Sequence, residues 1–175
     1  MAREYIITMT AANRVGVLSA VTKAMSELGA DLREASQTVV RGFFTMIFSA
    51  EFPDEMDPVV ITDHLQDVCR SFGIDVNLKD ASAERDDSDA QGGRFFSLRL
   101  GGSNQKGVLR KLSSTIAMHR IDIAGMHAVR TSNGAGFEMV MKMSVPQGFD
   151  LSALVDELNR VGQEFDITAE ASDYK

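Results

Sequence analysis

The 175-residue chain contains an internal repeat with an offset of 91 positions. Residues 13–18 read Asn-Arg-Val-Gly-Val-Leu and residues 104–109 read Asn-Gln-Lys-Gly-Val-Leu, so that four of the six positions are identical. Asp31 recurs as Asp122, and the spacing of the apolar residues follows the same register. A repeat of this period indicates two copies of one structural unit, each about as long as a small domain.

Both halves show the same order of hydrophobic periods. A period of two predicts a strand and a period near 3.6 predicts one face of a helix, as for Leu18, Val21, Met25 and Leu28. Strands are predicted near residues 5–9, 31–40, 43–52, 74–78, 95–101, 121–131, 135–145 and 165–171, and helices near 18–28, 57–72, 106–119 and 150–163. The order β-α-β-β-α-β in each half predicts an α+β fold: two tandem ferredoxin-like modules, antiparallel sheets with helices on one face.

A small, acidic and glycine-ended segment separates the two halves. Residues 81–93 lack apolar periodicity, so they offer little surface whose burial could offset the entropy of ordering them. The sequence therefore predicts a first module over residues 1–80, an acidic flexible linker over 81–93 and a second module over 94–175.

Composition excludes several classes of protein. The single cysteine, Cys69, rules out an internal disulfide and a multi-cysteine metal site, and no metal or cofactor is predicted. The chain shows neither a signal peptide nor an apolar run of membrane-spanning length, so a cytoplasmic location with no membrane partner is expected. The net charge of −7 and the isoelectric point near 4.9 weigh against direct nucleic-acid binding.

The three histidines do not form a recognisable catalytic arrangement with a nucleophile, so no catalytic residue is predicted. His64 is expected to be exposed on a helix. His119 is expected to be half-buried at a helix end, and Cys69 is expected to be a buried, inert thiol.

The repeated hexapeptide has a physical interpretation of its own. Asn13 is predicted to cap the first helix, and Gly16 would lie in its first turn, where the absence of a Cβ permits a close approach. Free N–H groups and partial positive charge at a helix N-terminus suit a carboxylate. The alternative is that Asn13 and Gly16 only cap the helix and allow close packing.

The hexapeptide, residues 29–32 (Gly-Ala-Asp-Leu) and residues 36–46 together resemble an ACT domain, a small amino-acid-sensing module. Two such modules without a catalytic domain resemble the glycine cleavage system transcriptional repressor group. The family has Pro where this chain has Val15 and Lys106, and Asp where it has Asn13 and Asn104. The loss of that carboxylate weakens the case for a salt bridge to a ligand ammonium, although an asparagine can still donate and accept hydrogen bonds.

This resemblance implies a non-enzymatic regulator that binds a small ligand, an amino acid, at module interfaces. It further implies a homo-oligomer, such as a dimer, that modulates transcription of glycine or one-carbon metabolism genes through a protein partner. The implied ligand-binding residues are Asn13, Arg14, Gly16, Val17, Leu18 and Asp31 in the first module, and Asn104, Gln105, Gly107, Val108, Leu109 and Asp122 in the second.

Two other functions remain open at the level of sequence. One is a protein–protein adaptor whose ACT modules bind no ligand, which the missing carboxylate and the weaker resemblance of the second half favour. The other is a small acylphosphatase-like enzyme, for which Arg14 ahead of a glycine and Asn13 beside it match, while the rest of the loop does not.

Overall fold

The computed structural model describes residues 2–53, 56–84, 93–103, 105–131 and 134–174, with the backbone alone for 83 and 84. The chain forms two compact units, residues 1–86 and 87–175, which are described separately. Residues 81–84 form a short 3-10 helix, and the rest of the predicted linker, except Gly93, lies outside the described residues.

The first unit is a four-stranded antiparallel sheet in the order β2-β3-β1-β4 with two helices. Its elements are β1 (Arg3–Ala12), α1 (Val17–Glu27), β2 (Asp31–Val40), β3 (Phe43–Phe52), α2 (Pro58–Val68), a 3-10 turn (Arg70–Phe72) and β4 (Asp75–Asp80). Alternating residues of β1 and β3 meet α1 and α2 in one apolar core. Asp57 starts α2 as predicted, since its side chain accepts a hydrogen bond from the Val59 N–H at 2.8 Å.

The second unit repeats this topology with the strand order β6-β7-β5-β8. Its elements are β5 (Arg94–Ser103), α3 (Val108–Met118), β6 (Asp122–Arg130), β7 (Gly136–Val145), α4 (Leu151–Gly162), a 3-10 turn (Gln163–Phe165) and β8 (Ile167–Asp173). It closes a core of its own, in which Met139, Met141 and Met143 of β7 are buried. The predicted fold class, two antiparallel sheets each with a pair of helices, is confirmed.

The start of the buried helix stripe differs from the prediction by one residue. Val17 is 4 % exposed and packs in the core, whereas Leu18 is 46 % exposed. The second unit shows the same exchange between buried Val108 and exposed Leu109. Val21 and Met25 are buried as predicted, so the helical period was correct. At the first turn the buried position is that of Val17 and not that of Leu18.

The described residues contain no helix long and apolar enough to span a membrane. Within the same residues, no group of three or more His, Cys, Asp or Glu side chains could hold a metal ion.

Candidate ligand site at the loop–helix junctions

The first candidate site is the turn that connects β1 to α1. The Val17 N–H donates to the Arg14 carbonyl at 3.2 Å, and Gly16 lies in the left-handed region at φ 98° and ψ −9°. Those angles are those of the third position of a type II turn, which favours glycine. Gly16 therefore precedes the helix as its N-cap, and its carbonyl accepts from the Ala20 N–H at 2.9 Å.

Two expectations about the start of this helix are wrong. Asn13 does not cap the helix, and Gly16 lies before the first helical turn and not within it. Asn13 stands four residues before the first helical residue, and its backbone N–H donates to the Gly42 carbonyl at 2.9 Å, which ties the end of β1 to the β2–β3 hairpin. No side chain caps the first turn of α1. Its free N–H groups are consequently available to a ligand, as in any helix without a side-chain cap.

The junction between β5 and α3 has the same geometry. Gly107 is the N-cap at φ 87° and ψ −9°, its carbonyl accepts from the Lys111 N–H at 3.1 Å, and no side-chain cap hydrogen bond is made. A Cβ at Gly107 would have no neighbouring atom within 4 Å, so the space next to this turn is open. Asn104, the second predicted asparagine, lies outside the described residues.

In the second unit this open turn borders a groove of about 400 Å³. The groove runs between the start of α3, the end of β6 and the facing side chains of β7. It is lined by Gln105, Gly107, Val108, Leu109, Arg110, Leu112, Ala128, Val129, Arg130, Phe137 and Met139. Four of the predicted ligand-binding residues, Gln105, Gly107, Val108 and Leu109, therefore share one concave surface.

Reasoning from the sequence missed Arg110 and the β6 residues of this groove. The strand period was the available signal, because Ala128 and Arg130 pair with Met139 and Phe137, two core-facing residues of β7. Residues on one side of a pleated pair share a face, so Ala128 and Arg130 lie on the helix side of the sheet, at its edge.

The first unit carries other side chains at the corresponding positions. Val39 pairs with Phe44 as Arg130 pairs with Phe137, and Ser19 stands where the repeat places Arg110. Arg14 is present in the loop itself, but its guanidinium donates to the Ser71 carbonyl at 3.4 Å. The two junctions thus share a backbone and differ in charge.

Asp31 and Asp122 lie away from the junctions of their own units. Asp31 pairs with Glu51 at one end of β3, whereas Ala12, next to the junction, pairs with Phe43 at the other. Eight residues of strand correspond to about 27 Å. Asp31 lies 3.4 Å from the Arg33 guanidinium in an exposed ion pair, and Asp122 pairs with Ser144 at the equivalent end of the second sheet.

Two histidines pair with glutamates across the helices. His64 Nε2 lies 2.9 Å from a Glu27 carboxylate oxygen, and its side chain is one-third exposed, which is less than the exposed position that the sequence predicted. His119, half-buried at the C-cap of α3 as predicted, lies 2.7 Å from Glu157. Both contacts join the two helices of a unit, and neither involves a residue of the loop–helix junctions.

Comparison with known proteins identifies the family. The ACT domain model matches residues 5–70, which span the first junction, and a UPF0237 protein of Methanosarcina acetivorans is 33% identical over 76 residues, 43% of this chain and 83% of the relative. The chain belongs to the ACT-domain family. A UPF0237 protein of Corynebacterium diphtheriae is 36% identical over 75 residues, 42% of this chain and 84% of the relative. ACT domains are regulatory modules that bind amino acids and oligomerise.

Two solved structures are similar in fold to this chain over its whole length. An unknown protein from Galdieria sulphuraria superposes with a TM-score of 0.79 at 17% identity, and the match covers 100% of both chains. A candidate glycine cleavage system transcriptional repressor superposes with a TM-score of 0.72 at 15% identity, covering 100% of this chain and 99% of that one. Identities this low establish the fold alone.

Proposed function

We propose that this ACT protein is a non-enzymatic regulator whose loop–helix junctions bind an amino acid at module interfaces. The observation that carries the proposal is that both units repeat one backbone device, a left-handed glycine N-cap followed by a helix turn without a side-chain cap. Unpaired N–H groups at the positive end of a helix dipole are suited to an α-carboxylate.

In this proposal, Asn13, Arg14, Gly16, Val17 and Leu18 form the first site. Asn104, Gln105, Gly107, Val108 and Leu109 form the second. Asp31 and Asp122 would contribute from another module, since each lies at the far end of its own sheet. The protein would then act as a homo-oligomer, a dimer in the simplest case, in the cytoplasm, with residues 81–93 as a flexible linker between modules 1–80 and 94–175.

The proposed output is transcription of glycine or one-carbon metabolism genes, which the shared fold with a candidate glycine cleavage repressor supports. A chain of net charge −7 is poorly suited to neutralising DNA phosphates, so a DNA-binding protein partner would carry the signal. Ligand binding would shift the population of two module or subunit arrangements, which requires different affinities for the two.

A thermal-shift panel of the twenty amino acids on the full chain tests the ligand. At about 100 times the dissociation constant, a ligand adds about 2.7 kcal/mol, which raises the midpoint by about 5–10 °C in a protein of this size. We expect one amino acid, with glycine and serine as the first to examine, to produce such a shift. Twenty unmoved midpoints would contradict the amino-acid proposal.

Matched glycine variants localise the effect. Gly107→Ala places a methyl group beside the open turn, whereas Gly148→Ala imposes comparable backbone strain (φ 77°) in the loop between β7 and α4, outside the groove lining. Gly16→Ala is matched in the same way by Gly29→Ala (φ 66°) at the other end of α1. We expect the ligand-induced shift to fall in Gly107→Ala or Gly16→Ala and to persist in the two control variants.

A specific surface favours a second candidate function, that of a protein–protein adaptor. The first unit exposes apolar side chains around its edge strand, including Val40 at 59% and Phe43 at 64% exposure. Exposed apolar patches mark interaction surfaces. An adaptor would leave all twenty midpoints unmoved and would lose its partner in Phe43→Ser while keeping it in Gly16→Ala.

A further inference from the structure

The groove of the second unit combines an apolar interior with positive charge. Leu112, Phe137 and Met139 are buried and form its floor, while Leu109 and Val129 are partly exposed at its sides. Among the described lining residues, the charged side chains are those of Arg110 and Arg130. Its volume of about 400 Å³ lies within the range of small-molecule sites, about 300–1,000 Å³.

The charged side chains among the described lining residues of this groove, Arg110 and Arg130, have one sign. The two guanidinium groups are permanently cationic, and the uncapped first turn of α3 adds the positive end of a helix dipole. A guanidinium binds a carboxylate through two parallel hydrogen bonds, and such charge-assisted bonds are stronger than neutral ones. An ammonium group in the same groove would be repelled by both arginines.

We propose that this groove binds a small carboxylic acid that has an apolar body and no amine, a class to which the 2-oxo acids of apolar amino acids belong. The carboxylate would lie at Arg110, Arg130 and the first turn of α3, and the hydrocarbon would contact Phe137 and Met139. The inference rests on the proposed function for the use of the second loop–helix junction as a ligand site, and it revises the ligand there from a zwitterionic amino acid to a net anion, leaving the amino acid to the first junction.

The first unit supplies an internal comparison. Ser19 and Val39 occupy the positions of Arg110 and Arg130, and the Arg14 guanidinium is engaged with the Ser71 carbonyl. An acid selected by two arginines should therefore bind the second unit and not the first. The duplicated chain would combine an amino-acid site with an acid site on the same backbone device.

Titration calorimetry on the full chain tests this with four probes of graded chemistry. The probes are 4-methyl-2-oxopentanoate, leucine with the same carbon skeleton, 4-methylpentanamide as a neutral analogue, and acetate as a carboxylate without an apolar body. We expect 4-methyl-2-oxopentanoate to bind at one site per chain and at least about tenfold more tightly than each of the others. A tenfold difference in affinity corresponds to the free energy of one charge-assisted hydrogen bond.

Variants then assign the binding to the groove. Arg110→Gln and Arg130→Gln should each weaken 4-methyl-2-oxopentanoate by about tenfold or more, the cost of a lost hydrogen bond to a charged group. Arg120→Gln, at an exposed arginine outside the groove, is the matched control and should bind like the wild type. Ala128→Phe, which fills the groove without changing its charge, should also abolish binding. Circular dichroism confirms that each variant is folded.

The outcomes separate this inference from the proposed function. Equal affinity for leucine or the amide, or arginine variants that bind normally, overturns the acid site. If an amino acid binds in a manner sensitive to Gly16→Ala while the oxo acid does not bind, the inference fails and the proposed function stands. If the oxo acid binds through Arg130 and none of the twenty amino acids binds, the inference stands and the amino-acid proposal fails.

Discussion

At the scale of single residues, the two units differ at the end of their second helix, where the following strand passes close to it. Gly162 ends α4 at the position that Cys69 occupies after α2, and both are buried. A Cβ at Gly162 would lie 2.6 Å from the Ile167 carbonyl oxygen, so the start of β8 passes directly against the helix end. The first unit leaves room for a side chain at this position and the second does not.

Gly162→Ala should therefore destabilise the second unit. Alanine is the better helix former by about 1 kcal/mol, but the contact at 2.6 Å forces backbone to move, and overpacking costs about 1–3 kcal/mol. We expect a net loss of up to about 2 kcal/mol in chemical denaturation, the difference between those terms. Gly125→Ala, whose Cβ would lie 3.8 Å from Lys142 Cβ, is the control and should be close to neutral. A stabilised Gly162→Ala would show that β8 yields easily.

At the scale of elements, the sequence predicted the order and most of the extent of the helices and strands. The glycine turn at Gly42, the hydrophobic period and the internal repeat together located β2, β3 and α4 to within a residue or two. It misplaced the helix start at the junctions because Asn13 is a strong N-cap residue, whereas the turn geometry makes Gly16 the cap. The groove was only half predicted, because its far wall comes from the end of β6, about 20 residues after the hexapeptide, and only the fold brings that end beside the start of α3.

The helix pairs show the same element contact built with exchanged partners. In the first unit α1 supplies Glu27 and α2 supplies His64, whereas in the second α3 ends at His119 and α4 supplies Glu157. Sequence offset places Glu157 at the position of His64. A histidine–glutamate contact therefore joins the helices in both units, although His119 stands at the position of Leu28 and not of Glu27.

A double-mutant cycle with His119→Ala and Glu157→Ala measures this link. The side chains are about one-third exposed, so solvent screening keeps the coupling modest, and we expect about 0.5–1 kcal/mol. The cycle with His64→Ala and Glu27→Ala should give a coupling of the same sign and similar size. Additive effects in both cycles would show that the contacts are incidental to stability.

At the scale of the whole molecule, each unit has its own buried core, and the chain's single thiol lies in only one of them. Cys69 is 0% exposed at the end of α2, and burial raises the pKa of its thiol. The thiolate is the reactive form, so both effects suppress its chemistry at neutral pH. Cys69 should therefore react only when the first unit opens, which makes it a reporter of that unit alone.

The rate at which a thiol reagent labels Cys69 measures the opening of the first unit. We expect a thiol-specific reagent at neutral pH to label Cys69 at least about 10³-fold more slowly in the native protein than in denaturant, because opening costs several kcal/mol. Gly162→Ala weakens the second core and should leave the labelling rate unchanged. Ile61→Ala removes a buried side chain of α2 from the first core and should raise that rate. Native labelling as fast as that of the unfolded chain would place Cys69 in a locally open segment. A labelling rate that rises in Gly162→Ala would show instead that the stability of the first unit depends on the second. Ligand binding in the groove of the second unit would then change the stability of the first unit through the same coupling.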